Sequence, residues 1–144
     1  AAVGATQMKR IEEIMQKRSV VANWYTSRLG GVGDVLCPTI DPDIKMSWDG
    51  YVIRLSDRFS QEDRDHIIRG LHRHDIGAAD FFRPVHMLPP IQKATTGTTH
   101  CPVAESISSR TLALPFFTSM TKREVEIVCQ TLELMITRVT FTED

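Results

Sequence analysis

One apolar stripe constrains this chain more than any other feature. Met8, Ile11, Met15, Ala22, Tyr25 and Leu29 recur mostly at steps of three and four, with Ile14 and Val21 beside them. That spacing lines them along one side of a helix. Lys9, Arg10, Glu12, Glu13 and Lys17 fill the other side. A helix with one apolar face has to bury it against another layer. Gly30 and Gly31 mark its end, as glycine commonly does. Its front carries no cap, so the expectation is a helix over 1–29 that is entered midway from a longer polypeptide.

The rest of the chain supplies the second layer. Residues 30–46 read as loop, with Gly33, Pro38, Asp41 and Pro42 as breakers. Trp48 to Leu55 reads as a strand, since Tyr51, Ile53 and Leu55 alternate with Val52 and Arg54. Ser60 suits the cap of a helix whose first turn holds Glu62 and Asp63 and whose buried face holds Ile67, Ile68 and Leu71. Asp75-Ile76-Gly77 turns the chain into a short strand reaching about Phe82. Pro84, Pro89 and Pro90 and the polar run Thr95 to Thr99 form a long connection, expected to be functional or mobile. Pro102 starts a short helix, and Leu112 to Pro115 reads as a buried strand. Thr121 and Glu124 form a capping box, with Met120 and Val125 as its staple. Val125, Val128, Leu132 and Ile136 give that last helix its buried face, and Thr140 to Asp144 form a loose tail. The fold class is therefore α/β: a two-layer α+β arrangement of a small sheet packed with helices over 44–139.

Composition removes several classes of function. The 144 residues amount to one domain. Seventeen basic against eighteen acidic residues leave a net charge of -1, which disfavours a nucleic-acid or anionic-membrane partner. No apolar run approaches the roughly 18 residues of a membrane span, and no secretory signal is recognisable at the front. Cys37, Cys101 and Cys129 are odd in number and far apart. They are expected to be small buried hydrophobes in a reducing cytoplasm.

Most candidate chemistry dissolves on inspection. His72 and His74 are two apart and do not share a helix face, so they read as a basic helix end instead of a metal site. Gly30-Gly31-Val32-Gly33 follows a helix and lacks a phosphate-loop lysine. There is no G-x-S-x-G elbow. Lys9, Lys17 and Lys122 fall on polar helix faces and Lys45 and Lys93 in loops, so none suits a Schiff base. Asp80-Phe81-Phe82-Arg83-Pro84-Val85-His86 is different. It sets stacking faces, a planar guanidinium and an imidazole where a strand enters a proline-stiffened loop. That chemistry suits an anionic, ring-containing ligand, although a core aromatic beside a solvated arginine explains it too.

The stretch from Tyr51 to Pro90 resembles the small domain of the DegT/DnrJ/StrS-type aminotransferases. The matching features are Val52 to Leu55, the Ile76-Gly77 turn, Phe82, and Pro84-Val85-His86-Met87-Leu88-Pro89. Pro102-Val103-Ala104-Glu105, Arg110 to Pro115 and the helix from Thr121 give a second match, and the opening helix a third. The resemblance implies the C-terminal small domain of a pyridoxal-phosphate (PLP) enzyme of fold type I, like aspartate aminotransferase. It implies an amino group moved from an amino-acid donor, commonly glutamate, to a nucleotide-linked keto sugar by a homodimer. In such enzymes the cofactor and the catalytic lysine belong to the large domain. No catalytic or cofactor-binding residue is therefore expected in this stretch, and by itself it should be inactive and bind no cofactor. Substrate contacts are expected from His86, Arg83 and Phe82, with Arg110 a weaker candidate. Ala79, Pro90, Ile91 and Asp49-Gly50 depart from the commoner pattern and leave the sugar undefined. A PLP-dependent sugar dehydratase of the same fold is the near alternative. A free-standing α/β binding or regulatory module is the rival from another class.

Overall fold

The computed structural model describes residues 2–94 and 100–141. The expectations for Thr95 to Thr99 and for the last three residues of the tail lie outside the described residues. Six helices and four strands are seen among the described residues. In chain order they are α1 (Ala2–Met8), α2 (Ile11–Leu29), β1 (Val35–Leu36), β2 (Tyr51–Leu55), α3 (Gln61–His72) and β3 (Ala79–Asp80). A 3-10 turn (Val85–Met87), α4 (Pro89–Ala94), α5 (Pro102–Ser108), β4 (Thr111–Leu114) and α6 (Lys122–Thr140) complete the order.

The sheet is antiparallel throughout, in the order β1-β2-β4-β3. Tyr51 pairs with Leu114 and Ile53 with Leu112, while Ala79 lies opposite Ala113 on the far side of β4. The alternation foreseen in β2 is present: Tyr51, Ile53 and Leu55 are buried and Val52 and Arg54 half-buried. The buried side meets a layer in which α6 packs against both α2 and α3. Val21, Ala22, Tyr25 and Leu29 enter from α2, Ile67 and Leu71 from α3, and Val125, Val128, Leu132 and Ile136 from α6. The Tyr25 and Tyr51 rings stack at 4.8 Å, and the Tyr25 hydroxyl donates to the Pro115 carbonyl at 2.8 Å. At Gly70 an added Cβ would run into the Met135 side chain of α6, which would have to move to make room.

Both capping boxes form. Ser60 Oγ accepts from the Asp63 amide and Thr121 Oγ1 from the Glu124 amide, and each carboxylate returns a bond to the cap residue. Met120 and Val125 are both buried, as a staple requires.

The opening helix departs from expectation. It breaks at Lys9-Arg10, where Arg10 takes φ -111° and ψ 9° and its guanidinium grips Glu13 at 3.1 Å. Only its second half is buried: Met8 is 64% and Ile11 38% exposed, because the sheet and α6 lie beside the later turns. Val35–Leu36 inside the expected loop pairs with β2, too short a segment to show a period of two. The strand expected from Trp48 begins at Tyr51, though Trp48 is buried and lies 5.7 Å from the Tyr51 ring. The strand expected to reach Phe82 ends at Asp80. The proline-rich connection holds a 3-10 turn and α4, since Pro89 and Pro90 occupy the first helical turn, where no backbone N–H is needed.

Candidate functional site

The segment after β3 is shaped by two constraints. Its start is tied to β4 through Asp80 opposite Leu112, and the Thr111 hydroxyl reaches the Phe81 carbonyl at 3.5 Å. Its end is set by Pro84, whose ring disfavours a helical backbone at the residue before it, Arg83. The reversal between them falls on Phe82, at φ 50°. A non-glycine residue there costs about 1–3 kcal/mol, and such strain concentrates at functional sites. The ring held this way is 74% exposed and lies 4.4 Å from the Phe81 ring, itself 40% exposed. Arg83 is exposed and makes no hydrogen bond or ion pair with the described residues. A stacking face and a free guanidinium therefore stand side by side at the surface.

His86, in the 3-10 turn, is only 15% exposed. Its Nε2 lies 2.8 Å from Glu105 Oε1 on α5. The same oxygen accepts from the Cys101 amide at 3.0 Å. The Cys101 amide first, and then the His86 hydrogen bond, hold the Glu105 carboxyl below the usual carboxylate range. An ionised Glu105 only accepts, so the proton between them sits on Nε2 and His86 donates. Glu105 belongs to the Pro102-Val103-Ala104-Glu105 motif, but sequence reasoning gave it no role. It lies 19 residues from His86, beyond any local spacing rule.

Among the described residues no hydrogen bond or ion pair joins Arg110 to the other three candidates. Its guanidinium binds Asp57 Oδ1 and Ser106 Oγ, both at 2.9 Å, and Arg54 shares Asp57 at 3.6 Å. It joins the turn after β2 to α5.

The described residues hold no desolvated lysine. All five lysines are exposed, and Lys17 pairs with Glu13 at 2.6 Å. No groups of metal-binding residues form among the described residues, and His72 is engaged with the Ala78 carbonyl at 2.5 Å. Two grooves lie elsewhere. One of about 390 Å³ between α3 and α6 is lined by Gly70, Arg73 and Met135, and one of about 500 Å³ beside α2 by Met15, Ile44 and Trp48. Among the described residues no helix is long and apolar enough to cross a membrane.

The comparison with known families decides where this arrangement belongs. The model of the DegT/DnrJ/EryC1/StrS aminotransferase family matches residues 1–133. This chain belongs to that family. It is 28% identical over 132 residues to the spore coat polysaccharide biosynthesis protein SpsC of Bacillus subtilis, covering 90% of this chain and 34% of that protein. It is 28% identical over 137 residues to a GDP-perosamine synthase of Caulobacter vibrioides, covering 94% and 36%. A UDP-4-amino-4-deoxy-L-arabinose–oxoglutarate aminotransferase of Shewanella sediminis is 30% identical over 140 residues, covering 89% and 34%. The fold matches that of the putative sugar aminotransferase Spr1654 of Streptococcus pneumoniae in its apo form. The TM-score is 0.89 at 22% identity, over 98% of this chain and 35% of that one. It also matches Helicobacter pylori PseC, an aminotransferase involved in the biosynthesis of pseudoaminic acid, with TM-score 0.86 at 21% identity over 95% and 36%. The chain thus spans about a third of the length of the relatives it matches.

Proposed function

We propose that this chain is the C-terminal small domain of a PLP-dependent sugar aminotransferase, and that the surface from Phe82 to His86 forms the substrate side of its cleft. The observation that carries the site is the strained, exposed Phe82 beside an Arg83 with no partner among the described residues, with His86 anchored four residues after Phe82. Burial does not account for that arrangement, whereas recognition of a nucleotide-linked sugar does. The ring offers a stacking face, Arg83 a fork for a phosphate, and His86 a fixed polar group. Family membership and named relatives that act on nucleotide-linked sugars support the reaction.

The residues of this chain do not fit the cofactor by themselves, because no lysine is desolvated. PLP then belongs to the remainder of the enzyme, where it supplies the electron sink for amino transfer. Glutamate is the expected donor, a homodimer the expected assembly, and the cytoplasm the expected compartment for three free cysteines. The dehydratase alternative turns on residues outside this stretch.

The test is to separate the two half-reactions in the whole enzyme. The purified protein should show a visible cofactor band that shifts on adding glutamate. Arg83→Ala or His86→Ala should reduce turnover with nucleotide sugar about tenfold or more, roughly 1.4 kcal/mol, and leave glutamate loading nearly intact. Equal losses in both halves would remove the substrate-binding assignment. A colourless product would remove the aminotransferase reading.

A further inference from the structure

We propose that Glu105 is the positioning residue for His86, fixing the proton on Nε2 so that only Nδ1 is left to meet a ligand. The inference rests on the reading that the Phe82–His86 surface faces substrate. Its basis is geometric. Oε1 of Glu105 stands 2.8 Å from His86 Nε2 and 3.0 Å from the Cys101 amide, so one carboxylate oxygen binds the imidazole and the start of α5 together. The histidine is 15% exposed and the glutamate 34%, and the two are partly shielded. A neutral imidazole has one donor and one acceptor, and the partner of one nitrogen decides the role of the other. With Nε2–H given to Glu105, Nδ1 presents a lone pair. It accepts a hydrogen bond from a ligand hydroxyl or ring N–H, such as a sugar or a nucleobase offers. Phosphate, which carries no proton where it is fully ionised, is then left to Arg83.

This division explains why the charged and the heteroaromatic group sit on one short segment. It also assigns a role to the glutamate of the Pro102-Val103-Ala104-Glu105 motif. Through Glu105, α5 sets the ring that the 3-10 turn carries. The other titratable group facing this carboxylate is His100, which is exposed and makes no hydrogen bond to it among the described residues.

The tautomer is read without substrate. In the whole protein labelled with 15N-histidine, long-range 1H–15N correlation at about pH 8, where an ordinary imidazole is neutral, should show His86 as one Nε2–H form. Exposed His66 and His74 should show averaged forms. Glu105→Ala should bring His86 to that average and raise the KM for nucleotide sugar severalfold, about twofold from the tautomer and the rest from the lost hold on the ring, with kcat changed less. Glu105→Gln keeps an oxygen for the Cys101 amide and hence the fold, and should show an intermediate tautomer preference. His86→Ala added to Glu105→Ala should cost little more, because the two act as one unit. An Nδ1–H ring in the native protein, an unchanged ring in both Glu105 variants, or additive losses would each overturn the proposal. A locked ring in a protein that binds no nucleotide sugar would keep the positioning role and remove the aminotransferase reading alone.

Discussion

The layer built by α2, α3, α6, β2 and β4 and the rim running from β3 to α5 follow opposite rules. In the layer the large apolar side chains are inside: Tyr25, Tyr51, Ile53, Leu71, Leu112 and Leu132 are 0% exposed. In the rim they are outside, with Phe82, Val85 and Val103 at 74%, 66% and 71%. None of the residues of the 3-10 turn, α4 or α5 is buried. The layer holds itself together by removing apolar area from water. The rim is held by polar ties: Thr111 to Phe81, Glu105 to His86, and Glu105 to Cys101. The lesson is that stability and recognition are separated along the chain. Substitutions in one region should read out in unfolding, and substitutions in the other in binding.

The largest effect should come from the layer. Tyr25→Ala removes a fully buried ring, its stack on Tyr51 and its bond to Pro115. A loss of about 3–5 kcal/mol is expected, by analogy with buried aromatic truncations. Chemical denaturation measures it. A loss under about 1 kcal/mol would break the separation, because the rim would then be sharing the load.

A smaller effect tests whether helix ends in the layer behave as local units. Thr121→Ala removes the cap of α6 and should cost about 1 kcal/mol. The reciprocal partner gives the same site a pH signature. The Thr121 backbone N–H first, then its hydroxyl, hold the Glu124 carboxyl below the usual carboxylate range. A depressed carboxyl contributes stability that is complete above its unfolded pKa and lost as pH falls through the folded one. Native protein should therefore lose this contribution on acidification below the ordinary carboxylate range, and Thr121→Ala should lose less. Parallel curves for the two proteins would show that the box does not link them.

The same contrast explains what was legible in the sequence. The faces of β2, α3 and α6 were readable because burial on one side imposes a period, and Ser60 and Thr121 announced their helices through local side-chain chemistry. The first half of the opening helix misled for the complementary reason. Met8 and Ile11 keep the period, yet the described chain leaves both of them exposed. In the rim no period exists to be read, so prolines that begin α4 looked like breakers. Phe82, Arg83 and His86 were singled out by their chemistry. Arg110 shares their motif-level signal, and the fold ties it to Asp57 and Ser106. Glu105 was hidden because its partner is distant in sequence and near only once β4 has paired with β3.

The smallest effect tests the rim where its strain is concentrated. Phe82 sits at φ 50°, where a side chain is disfavoured, and its ring is mostly in solvent. Phe82→Ala and Phe82→Gly both remove the ring and its contact with Phe81, so that loss cancels between them. They differ in that only glycine accepts the left-handed backbone without penalty. The glycine variant should therefore be about 1 kcal/mol more stable than the alanine variant. It should also equal or slightly exceed the native protein in denaturation. Both variants should bind nucleotide sugar less well than the native protein. Improved stability with weakened binding would mean that the chain tolerates the strain in order to hold an aromatic face at the cleft. Unchanged binding in both would make Phe82 an exposed ring with no part in recognition, and would shift the stacking role to Phe81.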